Sequence, residues 1–391
     1  MSRTQYDVGK IFRDHLDEFL SLHHVPDNVE KSLVMISQCR TKALGGHVEV
    51  CPRCGFRLVS YNSCRDRHCP KCQNVDREKW LDMRRQELLP QAKYFHVVFT
   101  IPDCLHRVAM SHQADFYGSM FRAAWDTLKQ FFADKNLKGG MSSVLHTWGS
   151  NMFYHPHLHC IVPGGGVDMW GNWRPLRACS GRNGKFLFPV KALSKVFRAK
   201  FMERLTAALK ETGESIPQDV RKKCFENPWN LYSKAPMQGV DKVLEYISRY
   251  AYKVAISNSR IKNYTADGKV TYDYKDYRDG GKHKDMTVKA VDFMHLFSLH
   301  ILPFGFMRIR HYGLLSPSCR DELRAVQVKM GGEPVPKVRH KKTTQQIIEE
   351  KGWEIGICPI CECEMEIVEY FDPERAPPSG KAIQLLIPGL F

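Results

Sequence analysis

The sequence lacks any apolar run approaching the ~18 residues that cross a bilayer, which excludes a membrane-spanning helix. Its first sixteen residues are charged and lack the apolar core of a signal peptide, so a cytoplasmic protein is expected. Internal repeats and low-complexity tracts are missing as well, which argues against solenoids and fibres. Acid is in short supply: 42 Asp and Glu stand against 58 Lys and Arg, a net charge of +16. That excess runs through the whole chain and points to a polyanionic partner, nucleic acid first. With 43% hydrophobic and 11% aromatic residues among 391, the chain is globular and long enough for two or three domains.

Hydrophobic periodicity divides the chain. Val8, Ile11, Phe12, Phe19 and Leu20 mark one helix, and Leu33, Val34 and Ile36 a second. Past a cysteine-rich stretch at 47–73 and a helix near 75–89, alternation at Tyr94–Thr100 predicts a strand. A helix near 114–134 and strands over Ser142–Trp148 and His157–Val162 follow, then helices near 191–211 and 240–253. Strands near 254–264 and 270–277 are joined at Ala266-Asp267-Gly268-Lys269. The fold class is α+β. Residues 331–346 read as a basic linker, and the end beyond Phe371 as loose. The expected domains are 1–90, helical and zinc-binding; 91–330, catalytic; and 331–391, a basic linker with a cysteine-containing tail.

Fourteen cysteines without an export signal suit metal ligation better than disulfides. Cys51-Pro-Arg-Cys54 and Cys69-Pro-Lys-Cys72 lie fourteen residues apart, the spacing of two knuckles wrapping one structural Zn²⁺. Cys64, His68 and His47 are surplus candidates, and Cys64 or His68 could replace one member. Cys358, Cys361 and Cys363 form a further thiol group whose completing ligand the sequence does not identify.

Two elements carry chemistry. His157 and His159, two apart on a strand, project from one face and can share a metal ion; the alternative is a histidine pair merely packed on a sheet. On the 240–253 helix, Val243, Leu244, Ile247 and Ala251 form an apolar stripe. Tyr246 and Tyr250 share a flank about 100° away with Lys253 beyond them, while Tyr252 points elsewhere. A histidine-held divalent metal could polarise a phosphate while a tyrosine hydroxyl attacks it, with Arg249, Lys253, Arg260 and Lys262 holding the DNA backbone.

Phe99-Thr100, His157-Leu158-His159 and the run Tyr246 to Lys253 resemble, in order, the motifs of HUH endonucleases. Cys51 to Cys54, Asn62 to Gln73, Leu145 to Gly149, Val254 to Asn258 and Phe306 to Gly313 are similar to two-tyrosine transposases of the insertion sequence 91 family. The resemblance implies a nuclease domain with a central antiparallel sheet flanked by helices, behind an N-terminal zinc-ribbon domain. It implies rolling-circle transposition of single-stranded DNA at element ends and target, through 5′-phosphotyrosine links, in a bacterial, nucleoid-associated protein. By position, His157 and His159 would bind Mg²⁺ or Mn²⁺, and Tyr246 and Tyr250 would be the nucleophiles. Lys253 matches a lysine of related initiators, and Arg308 and Arg310 join the expected DNA contacts. No third metal ligand is identified; His155 is a candidate on the same strand face. A replication initiator or relaxase, or a zinc protein that binds DNA without cutting it, are the other readings.

Overall fold

A computed structural model describes residues 6–176, 186–234, 237–338 and 340–373. Its centre is a six-stranded, wholly antiparallel sheet. Ile309–Gly313, Gly140–Trp148, Tyr154–Pro163, Lys93–Thr100 and Leu231–Ser233 lie side by side in that order, and Met237–Gln238 also pairs with the Lys93 strand. The chain is therefore α+β, as the periodicity predicts, with the central antiparallel sheet that the resemblance implies.

Alternation along these strands feeds two layers. Phe95, Val97, Phe99, Met141, Leu145, Leu158, Cys160 and Val162 face the helices Gln113–Ala133 and Val190–Glu211, whose phenylalanines complete the largest core. The other parity places Tyr94 and Ile161 against Trp80 of the helix Asn74–Glu87 and against Val243, Leu244 and Ile247 of the helix Val240–Ala251. A third core joins the helices Val8–Leu22 and Asp27–Gln38 to Ala290–Ser298 and to a three-stranded sheet of Ile261–Tyr264, Lys269–Asp276 and Lys282–Lys289. Gly268 turns the first hairpin of that sheet with φ +74°, which glycine adopts without a Cβ penalty.

Three expectations need revision. The strand placed near 254–264 starts only at Ile261: Val254, Ala255 and Ile256 are buried without a partner strand, and Asn258–Arg260 is a 3₁₀ turn. Residues 331–346 are not all linker, since Thr343 caps the helix Thr344–Lys351 with a reciprocal Thr–Gln pair. Glu366–Phe371, placed with the cysteine-containing tail of 331–391, adds a third strand to the hairpin of Gly46–Val50 and Arg57–Tyr61. The end beyond residue 373 lies outside the described residues. Among those residues no helix is long and apolar enough to cross a membrane.

Candidate active site

Register brings a third histidine to the expected pair. His157 lies directly opposite His146 on the neighbouring strand and Thr100 on the other side, while His159 lies opposite Val144 and Val98. Side chains opposite one another share a sheet face, so His146, His157 and His159 converge, with one nitrogen of each within 4.8 Å of the others. His155, the candidate third ligand, is not in the group; its carbonyl oxygen instead accepts from His157 Nδ1 at 2.7 Å.

The hydrogen bonds decide which nitrogens are bare. Because a carbonyl only accepts, His157 carries its proton on Nδ1 and leaves Nε2 unprotonated. His146 Nε2 likewise donates to the Tyr250 carbonyl at 2.8 Å and leaves Nδ1 bare. His159 Nε2 lies 3.1 Å from His157 Nε2, and its Nδ1 is 2.8 Å from His96 Nε2. Burial depresses the protonation of all three: His157 falls to about 4, with the charges of His155 and Lys253 contributing against its carbonyl bond, and His146 and His159 fall well below their usual value, with neighbouring imidazoles and cations adding to burial. Near pH 7 the face offers neutral imidazoles with lone pairs turned inward. That donor set fits a cation.

The helix Val240–Ala251 delivers the tyrosines. Gly239 at its N-cap has φ +93°, allowing a sharp entry from the edge of the sheet. Burying Val243, Leu244, Ile247 and Ala251 turns the flank carrying Tyr246 and Tyr250 onto the histidines. Tyr250 Oη donates to Tyr246 Oη at 3.2 Å, and its ring lies 4.0 Å from that of His159. Tyr246 Oη is 2.8 Å from Nδ1 of His96, a buried histidine on the Lys93 strand whose protonation is pushed down to about 3 by burial and by Lys234. Burial chiefly raises the Tyr246 phenol above the usual tyrosine range, so attack requires positive charge close by. Lys234 and Arg249 lie 5.0 and 6.0 Å from the centre of its ring.

Other expected residues are distributed unevenly. Lys253 is exposed, yet its charge is felt by all three histidines; dense protein around it, then Arg260, lowers its own protonation. Arg249 pairs with Glu245 at 2.6 Å beside the tyrosines. Arg260 donates to the carbonyls of Asp273, Ala255 and Ser150, and buried Arg308 to that of Lys253, so both hold loops together. Lys262 pairs with Asp285, and Arg310 lies over the rings of Phe121 and Phe306. Tyr252 packs edge-on to Trp80 beneath Arg308, away from the pair. Sequence reasoning missed His146 and His96, although both stand on strands it recognised; strand alternation was the available signal, but only register could bring them to His159.

The cysteines group differently from the ribbon spacing. Cys51 and Cys54 sit at the tip of the Gly46–Tyr61 hairpin, whereas Cys64, Cys69 and Cys72 follow its base. Five-residue strands at about 3.4 Å per residue separate tip from base by roughly 17 Å, so the two Cys-x-x-Cys pairs do not share an ion. Cys69 and Cys72 instead meet Cys64 and Cys39, the residue capping the helix Asp27–Gln38. Their sulfur separations of 3.5, 3.6 and 3.7 Å match the edge of a tetrahedral Zn–thiolate site, about 3.8 Å for bonds of about 2.3 Å. His68 bonds Asp66 and the Leu302 amide, and His47 bonds Glu49, so neither joins.

A metal-ready histidine face beside paired tyrosines, behind a cysteine-rich domain, defines a class of proteins that process nucleic acid. Comparison with known proteins supplies the family. Residues 140–322 match the family described as putative transposase, and residues 11–101 the transposase zinc-binding domain of insertion sequence 91 type. A putative transposase, y4qJ, of Sinorhizobium fredii (strain NBRC 101917 / NGR234) is 40% identical over 97% of this chain and 98% of its own length. The transposase for insertion sequence element IS801 of Pseudomonas savastanoi pv. phaseolicola is 27% identical over 71% of this chain and 68% of its own. No solved structure matches. The chain belongs to the insertion sequence 91 family of transposases and contains that family's zinc-binding domain.

Proposed function

We propose that this transposase nicks and rejoins single-stranded DNA at the ends of its element and at its target, through 5′-phosphotyrosine intermediates, as in rolling-circle transposition. One observation carries the reading: three clustered imidazoles and two tyrosine hydroxyls 3.2 Å apart lie together on one face of the sheet. His146, His157 and His159 would hold Mn²⁺ or Mg²⁺. Such an ion neutralises charge that develops on the scissile phosphate.

The phenolic oxygen of Tyr246 or Tyr250 attacks phosphorus, the new O–P bond forms, and the bond from phosphorus to the 3′ oxygen breaks. The phenol loses a proton and the departing oxygen gains one, so the step is proton-neutral. The link keeps the phosphodiester's energy, and a second 3′-hydroxyl can reverse it. Two tyrosines one turn apart permit two successive attacks, one for each strand exchanged. His96 acts as a positioning residue. With His159 Nε2 engaged as a ligand, its Nδ1–H donates to His96 Nε2, and His96 Nδ1–H then faces the Tyr246 oxygen, where a donor stabilises phenolate. Arg249, Lys253 and Lys234 supply further positive charge for the DNA backbone. The region 91–330 carries the chemistry, and the zinc-binding region 1–90 adds to the grip on DNA.

The test uses purified protein, single-stranded oligonucleotides spanning the element's ends, and Mn²⁺ or Mg²⁺, read on denaturing gels. Cleavage that leaves protein bound to a 5′ end and vanishes with chelator is expected. Intact oligonucleotide under all metals, with binding preserved, would overturn the nuclease reading.

A further inference from the structure

The chemistry leaves a second group of thiols unused. Cys51 Sγ lies 3.4 Å from Cys361 Sγ and Cys54 Sγ 3.5 Å from Cys358 Sγ, with all four sulfurs within 4.8 Å of one another. These separations are far longer than a disulfide bond of about 2.05 Å and close to the tetrahedral Zn–thiolate edge. The two pairs stand 304 residues apart in the chain between Cys54 and Cys358.

The backbones around them match. In the first knuckle the Gly55 amide donates to the Cys51 carbonyl at 2.9 Å and the Cys51 amide to the Phe56 carbonyl at 2.8 Å. In the second, the Glu362 amide donates to the Cys358 carbonyl at 2.9 Å and the Cys358 amide to the Cys363 carbonyl at 2.8 Å. The residue after each second cysteine is left-handed, Gly55 with φ +72° and Glu362 with φ +59°. Glutamate rarely adopts that conformation, and here the bond of its amide to the Cys358 carbonyl holds it in the same turn as the first knuckle.

We propose that Cys51, Cys54, Cys358 and Cys361 bind a second structural Zn²⁺, which fastens the C-terminal segment to the N-terminal hairpin. The strand Glu366–Phe371 completes the joint by pairing with Gly46–Val50 and burying Phe371 against Val48 and Val59. The zinc-binding unit is then discontinuous: the family match at 11–101 contains one pair of ligands and ends long before the other. Cys363 lies outside the group, its sulfur bonded to the Cys361 carbonyl and to Arg53. This proposal does not depend on the nuclease reading.

The full-length protein tests it by zinc analysis, by Co²⁺ substitution and by limited trypsin digestion. Two zinc ions per chain are expected, and a thiolate-to-cobalt absorption band corresponding to eight thiolates, to which the histidines do not contribute. Cys358→Ser/Cys361→Ser should halve that band, retain one zinc and open the 337–351 region to trypsin, whereas Cys363→Ser should leave all three readouts unchanged. A wild-type band of four thiolates, or eight still present in the double variant, would overturn the proposal. The wild-type measurement decides alone if the variant fails to fold.

Discussion

The tyrosine pair allows the most discriminating test of the nuclease reading. Tyr246→Phe and Tyr250→Phe keep the rings and their packing and remove only a hydroxyl, so no cavity complicates the result. The structure makes the two deletions unequal. Tyr246 Oη is bonded to His96 and receives the Tyr250 hydroxyl, whereas Tyr250 only donates to Tyr246. Removing the Tyr250 hydroxyl costs attack by Tyr246 one hydrogen bond of about 0.5–1.5 kcal/mol, a slowing of roughly 2- to 13-fold. Removing the Tyr246 hydroxyl eliminates that nucleophile and leaves His96 Nδ1 without its partner. In single-turnover cleavage, with adducts mapped by mass spectrometry, Tyr250→Phe should form its adduct on Tyr246 at the moderately reduced rate. Tyr246→Phe should form one only on Tyr250, and neither variant should complete transposition. The double variant should form none, while Tyr252→Phe, packed under Arg308 and against Trp80, should match wild type. An adduct on Tyr252, or undiminished adduct formation in the double variant, would refute the assignment.

Three further outcomes follow from the same geometry. His146→Ala should lose at least about a hundredfold in metal-dependent cleavage, since removing even an outer-shell partner of a metal site typically costs 10- to 100-fold, whereas His155→Ala should retain most activity; equal loss in both would remove His146 from the ligand set. Affinity for single-stranded DNA should fall steeply with salt, and Arg249→Ala should flatten the slope of log K against log salt by about 0.7, while Arg260→Ala should chiefly lower stability, by roughly 1–3 kcal/mol, because its guanidinium serves carbonyls; denaturant melts and salt titrations separate the two. Buried His300, bonded to Thr147 and the Met152 carbonyl, titrates near 4 in the folded chain chiefly because it is buried, against 6.5 when exposed. The unfolded chain therefore takes up this proton first as pH falls, so stability is complete above pH 6.5 and declines towards pH 4, by roughly 3 kcal/mol from this residue. Urea unfolding between pH 7.5 and 5 should show a shallower decline in His300→Gln, and an unchanged decline would exclude His300 as a source.

What the sequence determined by itself was whatever one element can encode. Strand alternation put His157 and His159 on one face, and helical periodicity put Tyr246 beside Tyr250 and Tyr252 elsewhere, because spacing along a regular element translates directly into direction. The central strands and the helices around them were legible for the same reason. Burial of both faces defeated periodicity at Val254–Ile256, where apolar residues form no strand. Side chains brought together from different elements were beyond it as well. His146 reaches the pair only through the register of two antiparallel strands, and His96 only because its strand lies on the other side of His159. The cysteines show the limit most plainly: local spacing put Cys51, Cys54, Cys69 and Cys72 around one ion, but five-residue strands carry the first pair away from the second. Each pair then finds its partners through packing, Cys39 from a helix end and Cys358 with Cys361 from the far end of the chain, at distances in sequence that no local pattern records.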